Sequence, residues 1–382
     1  MKPIVVVLAA IALAVMAFDA VAQGAARSVQ IDPSVRASGM GGASTAVFWS
    51  NDTNEWANPA LLAYQKGLQY HWSTTQLIPE IAPDVRFRAH RLGFGWGGLG
   101  LGVSRLTLDY GESEGTDEQG NPTGTFGSFE RITPLGLGVS ISLLLESLAL
   151  LRGGEVPSIA RYADVAFGYK RKDVDLQLAP SPAGSASTTS NDLGFLVRVS
   201  PLPMGEESRP FLDLSYGYSA LNHNDAEVFF SNQNNPNYVA RHYRNGLAAR
   251  FGIPTSPGMA STMEQRFGRW LGSGMNPLLS IAIAGDFSHF ESVAGWQAYD
   301  VDHFGLEIAL LNVFAARVGH VTDRLEEIDD FSFGGGVGLP IGSFASVRYD
   351  FASFPHSRPS ELDPMRRHAV TVWFDPLTLA RR

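Results

Sequence analysis

Residues 211–220 read Phe-Leu-Asp-Leu-Ser-Tyr-Gly-Tyr-Ser-Ala, and this two-residue rhythm recurs along most of the chain. Successive side chains leave a strand on opposite faces, so Leu212, Leu214, Tyr216 and Tyr218 share one face while Asp213, Ser215, Gly217 and Ser219 share the other. One such segment fits a half-buried strand of any antiparallel sheet. Here the apolar phase returns at Val165, Phe167 and Tyr169, at Leu193, Phe195, Val197 and Val199, and at Leu247, Ala249, Phe251 and Ile253. It returns again at Leu279, Ile281, Ile283 and Phe287, at Phe331, Phe333, Val337 and Leu339, and at Val347, Tyr349 and Phe351. No comparable run at helical spacing is read after the first sixty residues, and the chain is expected to be all-β.

Alternation and turn residues place about fourteen strands, near 66–77, 84–96, 98–110, 133–145, 161–172, 191–200, 209–220, 243–253, 277–289, 300–309, 312–321, 330–339, 344–354 and 366–375. Gly97-Gly98, Leu310-Leu311 and Pro340-Ile341-Gly342-Ser343 read as tight connections, whereas 111–124, 173–190, 221–242, 322–329 and 355–365 read as longer ones. Short and long connections that largely take turns are the pattern of a transmembrane antiparallel β-barrel with brief periplasmic turns. A bilayer admits only helices and closed barrels, so strands in this number must close. Segments 146–160 and 254–276 are long where short turns are expected, and Met263–Leu271 reads as a small helix. The soluble alternative is a sandwich or propeller, which predicts more even loops or a fixed-period blade repeat. Tyr216, Tyr218, Phe167, Tyr169, Trp373 and Phe374 sit toward strand ends, as interfacial aromatic girdles do.

The N-terminus supplies a compartment. Lys2 precedes an apolar run from Ile4 to Phe18, and Ala20-Val21-Ala22 offers small residues before a cut at Gln23, the pattern of a secretory signal peptide over residues 1–22. The chain has no cysteine, which excludes a disulfide scaffold, a thiolate metal site and a lipoprotein anchor. A net charge of −9 with no basic patch argues against nucleic acid as a partner.

Motifs for catalysis do not stand up. Gly93-x-Gly95-x-x-Gly98 lies inside alternating strands with no helix after it, so it lacks the helix N-terminus that a phosphate needs. There is no Gly-x-Ser-x-Gly elbow and no His-Glu-x-x-His, and the nine histidines lack ligand spacing, so no catalytic, cofactor or metal residue is assigned. A hydrolase built on scattered Ser, His and Asp is the enzymatic alternative. Glu112, Glu114, Asp117 and Glu118, and Glu326, Glu327, Asp329 and Asp330, read as solvated faces of external loops, with divalent-cation bridging to lipopolysaccharide as the functional alternative. Asp164, Lys170, Arg198, Asp213, Arg250, Asp286, Arg348 and Asp350 occupy the polar phase of their strands. An Arg or Lys facing lipid at the midplane costs about 2–4 kcal/mol, which places these charges in the lumen.

Residues 33–63 break the alternation. Arg36 opens the stretch Gly39-Met40-Gly41-Gly42-Ala43, followed by Trp49, Asn51-Asp52, Trp56 and Asn58-Pro59-Ala60-Leu61-Leu62. This run resembles the N-terminal hatch of the FadL-like superfamily of outer-membrane transporters, and especially its PorV/PorQ branch. Ala57 stands where that branch carries an aromatic residue, with Trp56 displaced by one. More loosely, Tyr162–Tyr169, Glu307 with Ala315–His320, Gly334–Gly338, Tyr349–Ala352 and His368–Thr371 resemble later strands of the branch. The resemblance implies a monomeric barrel of fourteen strands over 64–375, plugged by residues 23–63 and ending in a tail over 376–382.

Small inward residues such as Gly194, Gly217, Gly334, Gly336 and Gly338 leave room for such a plug, and Pro59 is expected to end a short helix across 44–56. A fixed plug is the simpler expectation and a moving gate the alternative. The resemblance implies passive passage of a hydrophobic, fatty-acid-like molecule past the hatch, with Phe229, Phe230 and Tyr238 as capture contacts and outer-membrane lipid as surroundings. The alternative is an accessory barrel that binds secreted proteins or a secretion complex and transports nothing.

Overall fold

The computed structural model describes residues 26–49, 54–116, 119, 121–153, 159–180, 184–203, 209–231, 236–256, 258, 259, 261, 265, 277–291, 298–342, 344–356 and 363–376. The signal segment 1–22, nearly all of Met263–Leu271 and nearly all of the tail 376–382 lie outside them.

Fourteen antiparallel strands close into one barrel. They are β1 (Gly67–Ile78), β2 (Ala82–Trp96), β3 (Leu99–Thr116), β4 (Pro122–Ser140), β5 (Ala163–Gln177), β6 (Ser185–Leu202), β7 (Phe211–Leu221), β8 (His242–Ile253), β9 (Leu279–Phe290), β10 (Tyr299–Leu310), β11 (Phe314–Asp323), β12 (Ile328–Ile341), β13 (Ala345–Phe354) and β14 (Met365–Phe374). Each pairs with its sequence neighbours, and β14 returns to β1 with Phe374 opposite Leu68 and Arg366 opposite Gln76. The end where β1 begins and β14 finishes is the terminal end below, and the other is the loop end.

The two-residue rhythm is the reason the sheet closes. Along β7, Asp213, Ser215, Gly217 and Ser219 are buried toward the lumen, while Leu214 and Tyr216 are exposed on the outer wall. Leu92, Phe94, Leu101, Leu137, Phe167, Leu193, Leu247, Ile283, Phe304, Phe333 and Tyr349 continue that outer face around the barrel. A soluble monomer seldom exposes more than a few hundred Å² of contiguous apolar surface, so a belt of this kind belongs in lipid. Four outward tyrosines mark its upper edge. Tyr169 donates to Asn191 (2.9 Å), Tyr216 donates to Asn245 (2.8 Å), and Tyr70 and Tyr349 pair with His90 (2.8 Å) and His368 (2.7 Å). Each partner sits two register positions nearer the loop end, so the hydroxyls leave the apolar band on that side. Trp373 is not part of this girdle: it falls in the inward phase of β14, and its indole donates to the Lys66 carbonyl.

Three sequence expectations need correction. The strand read over 133–145 is β4, which lies earlier, at Pro122–Ser140, and Ile141–Leu151 is an α-helix (α2, with α1 being Val35–Gly39). Ser140 caps α2, its Oγ accepting from the Leu143 amide at 3.2 Å, and the Leu-rich run that follows has no β-branched residue after Ile141. An unbroken apolar run does not distinguish strand from helix by periodicity, which is why alternation alone missed it. Next, 111–124 and 173–190 are mostly strand. The β3–β4 ladder runs to Thr116 opposite Pro122, and the β5–β6 ladder to Gln177 opposite Ser185. A wall that rises beyond the lipid is polar on its outer face, and so reads as loop. Glu112 and Glu114 therefore lie on β3 and Asp329 and Asp330 on β12, while Asp117 and Glu118 fall outside the described residues. Finally, the described part of 44–56 forms turns, and Asn58 begins a 3-10 helix, Pro59–Tyr64, with its side chain accepting from the Ala60 amide at 3.0 Å.

Candidate functional site: a plugged lumen with an apolar loop end

Residues 26–49 and 54–64 lie inside the barrel. Near the loop end Arg27 pairs with Glu326 of the β11–β12 turn at 2.5 Å, and the Ser28 amide donates to Glu130 at 2.8 Å. The chain then passes through α1, crosses the lumen and leaves along Pro59–Tyr64 into β1 at the terminal end. Where it crosses, its backbone touches the wall at inward glycines. A Cβ on Gly100 would lie 1.8 Å from the Leu62 oxygen, one on Gly168 2.1 Å from the Pro59 carbonyl carbon, and one on Gly319 1.9 Å from the Gly41 nitrogen. Gly41 itself has φ +67 and meets the His320 backbone, so both sides of that contact require glycine.

Polar groups hold the same path. Arg36 makes a two-pronged pair with Glu307 (2.9 and 2.7 Å), Arg317 bridges Glu307 (2.6 Å) to Asp350 (2.7 Å), and Arg348 closes the chain on Asp350 (3.0 Å). Asp286 Oδ2 accepts from the Ser44 and Thr45 amides (2.8 and 2.9 Å), the Thr45 hydroxyl (2.7 Å) and Arg244 (2.8 Å). The Gly41 amide donates to Ser332 (2.8 Å), and His303 donates to the Gly41 carbonyl (2.7 Å). Asn58 donates to the carbonyls of Thr45 (2.9 Å) and Phe195 (3.0 Å). Tyr64 donates to Asp164 at 2.8 Å, and burial, followed by the Asp164 charge, pushes its hydroxyl well above the ordinary tyrosine range, which keeps it a donor.

Of the hatch residues singled out from sequence, Gly39 packs on Gly334, Gly42 lies against the His303 ring, Pro59 and Ala60 press on Gly168 and Gly194, and Trp49 and Trp56 are buried. All eight inward charges face the lumen. Lys170 donates to the Glu55 carbonyl (2.9 Å), Asp213 pairs with Arg250 (2.8 Å), Arg250 stands over Trp49, and Arg198 stands over Phe48. The partners Arg244, Lys172 and Asp192 were not singled out, although they occupy the same inward phase. Glu55 and Arg91, paired at 2.7 Å, carry no signal that sequence alone supplies, because their pairing depends on how the hatch lies.

The loop-end half of β2–β5 is built inside out relative to the band below it. Phe87, Ala89, Leu106, Leu108, Ile132, Val174 and Leu176 face inward and bury one another, whereas Arg86, Arg88, Arg105, Asp173 and Asp175 are exposed on the outer wall. The apolar cluster they form is covered by Ala26 and Val29 of the hatch and by Ala226, Val228 and Val239 of the 222–241 connection, in which Glu227–Val228 pairs with Asn237–Tyr238. Phe230 packs on this cluster, Tyr238 is half-buried, and Phe229 is exposed. Trp56 lies in the same cluster, with Lys170 Nζ 4.6 Å and Lys172 Nζ 5.4 Å from its ring centre. Both lysines share Asp192, at 3.0 and 2.6 Å, so two buried cationic side chains stand against one carboxylate beside the apolar cluster.

No family model matches the chain, and no curated protein matches it. Among solved structures it is similar to the toluene transporter TbuX of Ralstonia pickettii, with TM-score 0.43 and 12% identity over 90% of this chain and 98% of that one. It is similar to the toluene transporter TodX of Pseudomonas putida, with TM-score 0.40 and 11% identity over 88% and 96%. A FadL homologue of Pseudomonas aeruginosa gives TM-score 0.40 and 10% identity over 89% and 98%. Identities and scores this low establish neither a family nor an activity for this chain.

Proposed function

We propose that this protein is a monomeric outer-membrane barrel that binds hydrophobic small molecules at the apolar cluster of its loop end and passes them passively across the membrane. The observation that carries this reading is the inverted, apolar face that the loop-end wall turns inward. Barrels that conduct polar solutes keep a polar interior, and inward Phe87, Leu106, Leu108, Ile132, Val174 and Leu176 offer such solutes nothing. Phe230 and Tyr238 are the proposed capture contacts, with Phe229 as an outer one.

Lys170 and Lys172 narrow the ligand class. An apolar cluster beside two lysines that share one aspartate suits a long-chain anion, a fatty-acid-like molecule whose carboxylate would complete the charge cluster. Passage requires the hatch to yield locally, since its backbone lies against the wall at Gly100, Gly168 and Gly319.

The test compares binding of a labelled fatty acid with that of an uncharged aromatic hydrocarbon. In the variant Lys172→Met, Lys170 keeps Asp192 as its partner and the cluster loses its excess positive charge, and fatty-acid affinity is expected to fall about tenfold, or 1.4 kcal/mol. Hydrocarbon binding is expected to hold. Equal loss for both ligands would remove the anion assignment, and no binding of either would remove the transporter reading. The hatch residues Arg36, Gly39, Gly41 and Gly42 favour one other reading, an accessory barrel for secreted proteins. Absence of uptake together with co-purification of such proteins is the result that reading predicts.

A further inference from the structure

Helix α2 leaves the barrel wall at the terminal end, and the described residues bury no part of it. Eight of its eleven residues are apolar, Glu146 is its one charge, and not one of its residues is buried. Its barrel side is fixed: Leu143 and Ser147 lie over the Gly97-Gly98 turn, where a Cβ on Gly98 would sit 2.8 Å from the Leu143 Cβ and one on Gly97 2.7 Å from the Ser147 Oγ. Its start is tied to the wall and the hatch through one carboxylate. Asp164 accepts from the Ser140 hydroxyl (2.6 Å), the Ser142 amide (3.0 Å) and Tyr64 (2.8 Å).

The remaining surface is apolar. Ile141, Leu145, Leu148, Leu150 and Leu151 are exposed, Leu151 at 68%, and Ile159 and Tyr162 of the next helical turn add to the same connection. A helix this short is marginal in water and gains its stability from burying an apolar face, and among the described residues only Leu143 and Ser147 rest on the wall while the leucines of its other side stay uncovered.

We propose that α2 is embedded in the membrane leaflet at the terminal end of the barrel, its leucines among acyl chains. Three observations favour lipid as the occupant. The helix begins where the outward column Leu135 and Leu137 of β4 ends, so its apolar surface continues the lipid-facing band. Trp96 and Leu99, which flank the turn beneath α2, are exposed on that band. Arg152, immediately after the helix, and Arg161 are exposed and supply cationic side chains suited to anionic headgroups. The inference rests on the membrane-barrel reading.

The chain has no cysteine, so single reporter sites can be introduced without removing any. Leu148→Cys, Leu247→Cys on the outward face of β8 and Thr123→Cys at the loop-end tip of β4 would each be labelled with an environment-sensitive fluorophore. The full chain would then be refolded into vesicles of phosphatidylethanolamine and phosphatidylglycerol with or without a spin-labelled quencher lipid. All three sites are exposed or at a strand tip, so the variants are expected to fold as the parent does. The label at Leu148 is expected to show blue-shifted emission and to lose as much intensity to quencher lipid as the label at Leu247, with the label at Thr123 unaffected. Leu148 behaving as Thr123 does, while Leu247 is quenched, overturns the placement of α2 and leaves the barrel in the membrane. Failure of Leu247 to be quenched overturns the barrel reading and this inference with it.

Discussion

Alanine at Gly100, Gly168 and Gly319 together is expected to dislodge the hatch and open the lumen to ions. Each new Cβ meets backbone, at 1.8, 2.1 and 1.9 Å from Leu62, Pro59 and Gly41, so no side chain can rotate out of the way. Overpacking a fitted interior costs about 1–3 kcal/mol per site; Gly100 and Gly168 press on the same Pro59–Tyr64 helix while Gly319 acts apart from them at Gly41, so the combined cost is on the order of several kcal/mol. That cost is relieved if the hatch leaves the wall, while the strand ladders stay intact because alanine is tolerated in strands. The measurement is single-channel conductance in planar bilayers, paired with protease cleavage within residues 26–64. Both should rise over the parent protein. Gly335→Ala is the control, since its Cβ would point outward and meet only the Ala315 oxygen at 3.6 Å. Unchanged conductance and unchanged cleavage in the triple variant would show that the plug is not held by backbone contact.

Removing the Glu307 carboxylate is the second large effect. In Glu307→Ala, Arg36 loses both prongs of its pair and Arg317 is left with Asp350 alone, all inside the plugged lumen. Stranding a buried partner in this way costs about 3–5 kcal/mol. Replacing Arg36 and Glu307 together with methionine removes the stranded charge on the hatch and is expected to recover much of that loss. Arg348→Gln, at the more exposed end of the chain, is expected to cost less than about 1 kcal/mol. Unfolding in denaturant, followed by the mobility shift of the folded barrel on gels, checks all three. Equal losses for Glu307→Ala and Arg348→Gln would contradict the network as drawn.

The barrel was legible because its cause is local. A side chain's face is set by its parity along a strand, so Asp213 and Leu214 announce lumen and lipid without any knowledge of partners. The same parity indicates that Asp286, Asp350 and Lys170 face inward, and it applies equally to Arg244, Lys172 and Asp192, although around Lys172 the outward Arg171 and Asp173 are charged as well, so the two faces do not contrast in sequence there. Parity fails where a segment stops alternating. Leu143-Leu144-Leu145 carries no rhythm, and only the Ser140 cap and the packing on Gly97-Gly98 decide that it is helix α2. The risen wall of β3–β6 was hidden for the opposite reason, since strands with water outside them have the composition of loops.

By itself, then, the sequence determined an antiparallel barrel of about fourteen strands, its two faces and the presence of a glycine-rich segment unlike the rest, because alternation and glycine content are properties of short stretches. Tertiary structure alone decided which glycines of the wall meet the hatch, which carboxylate holds Arg36, and that the lumen turns apolar above Lys172. Those outcomes depend on contacts between residues far apart in the chain, such as Arg36 with Glu307, and the pairing of distant residues is settled by how the barrel closes around its plug.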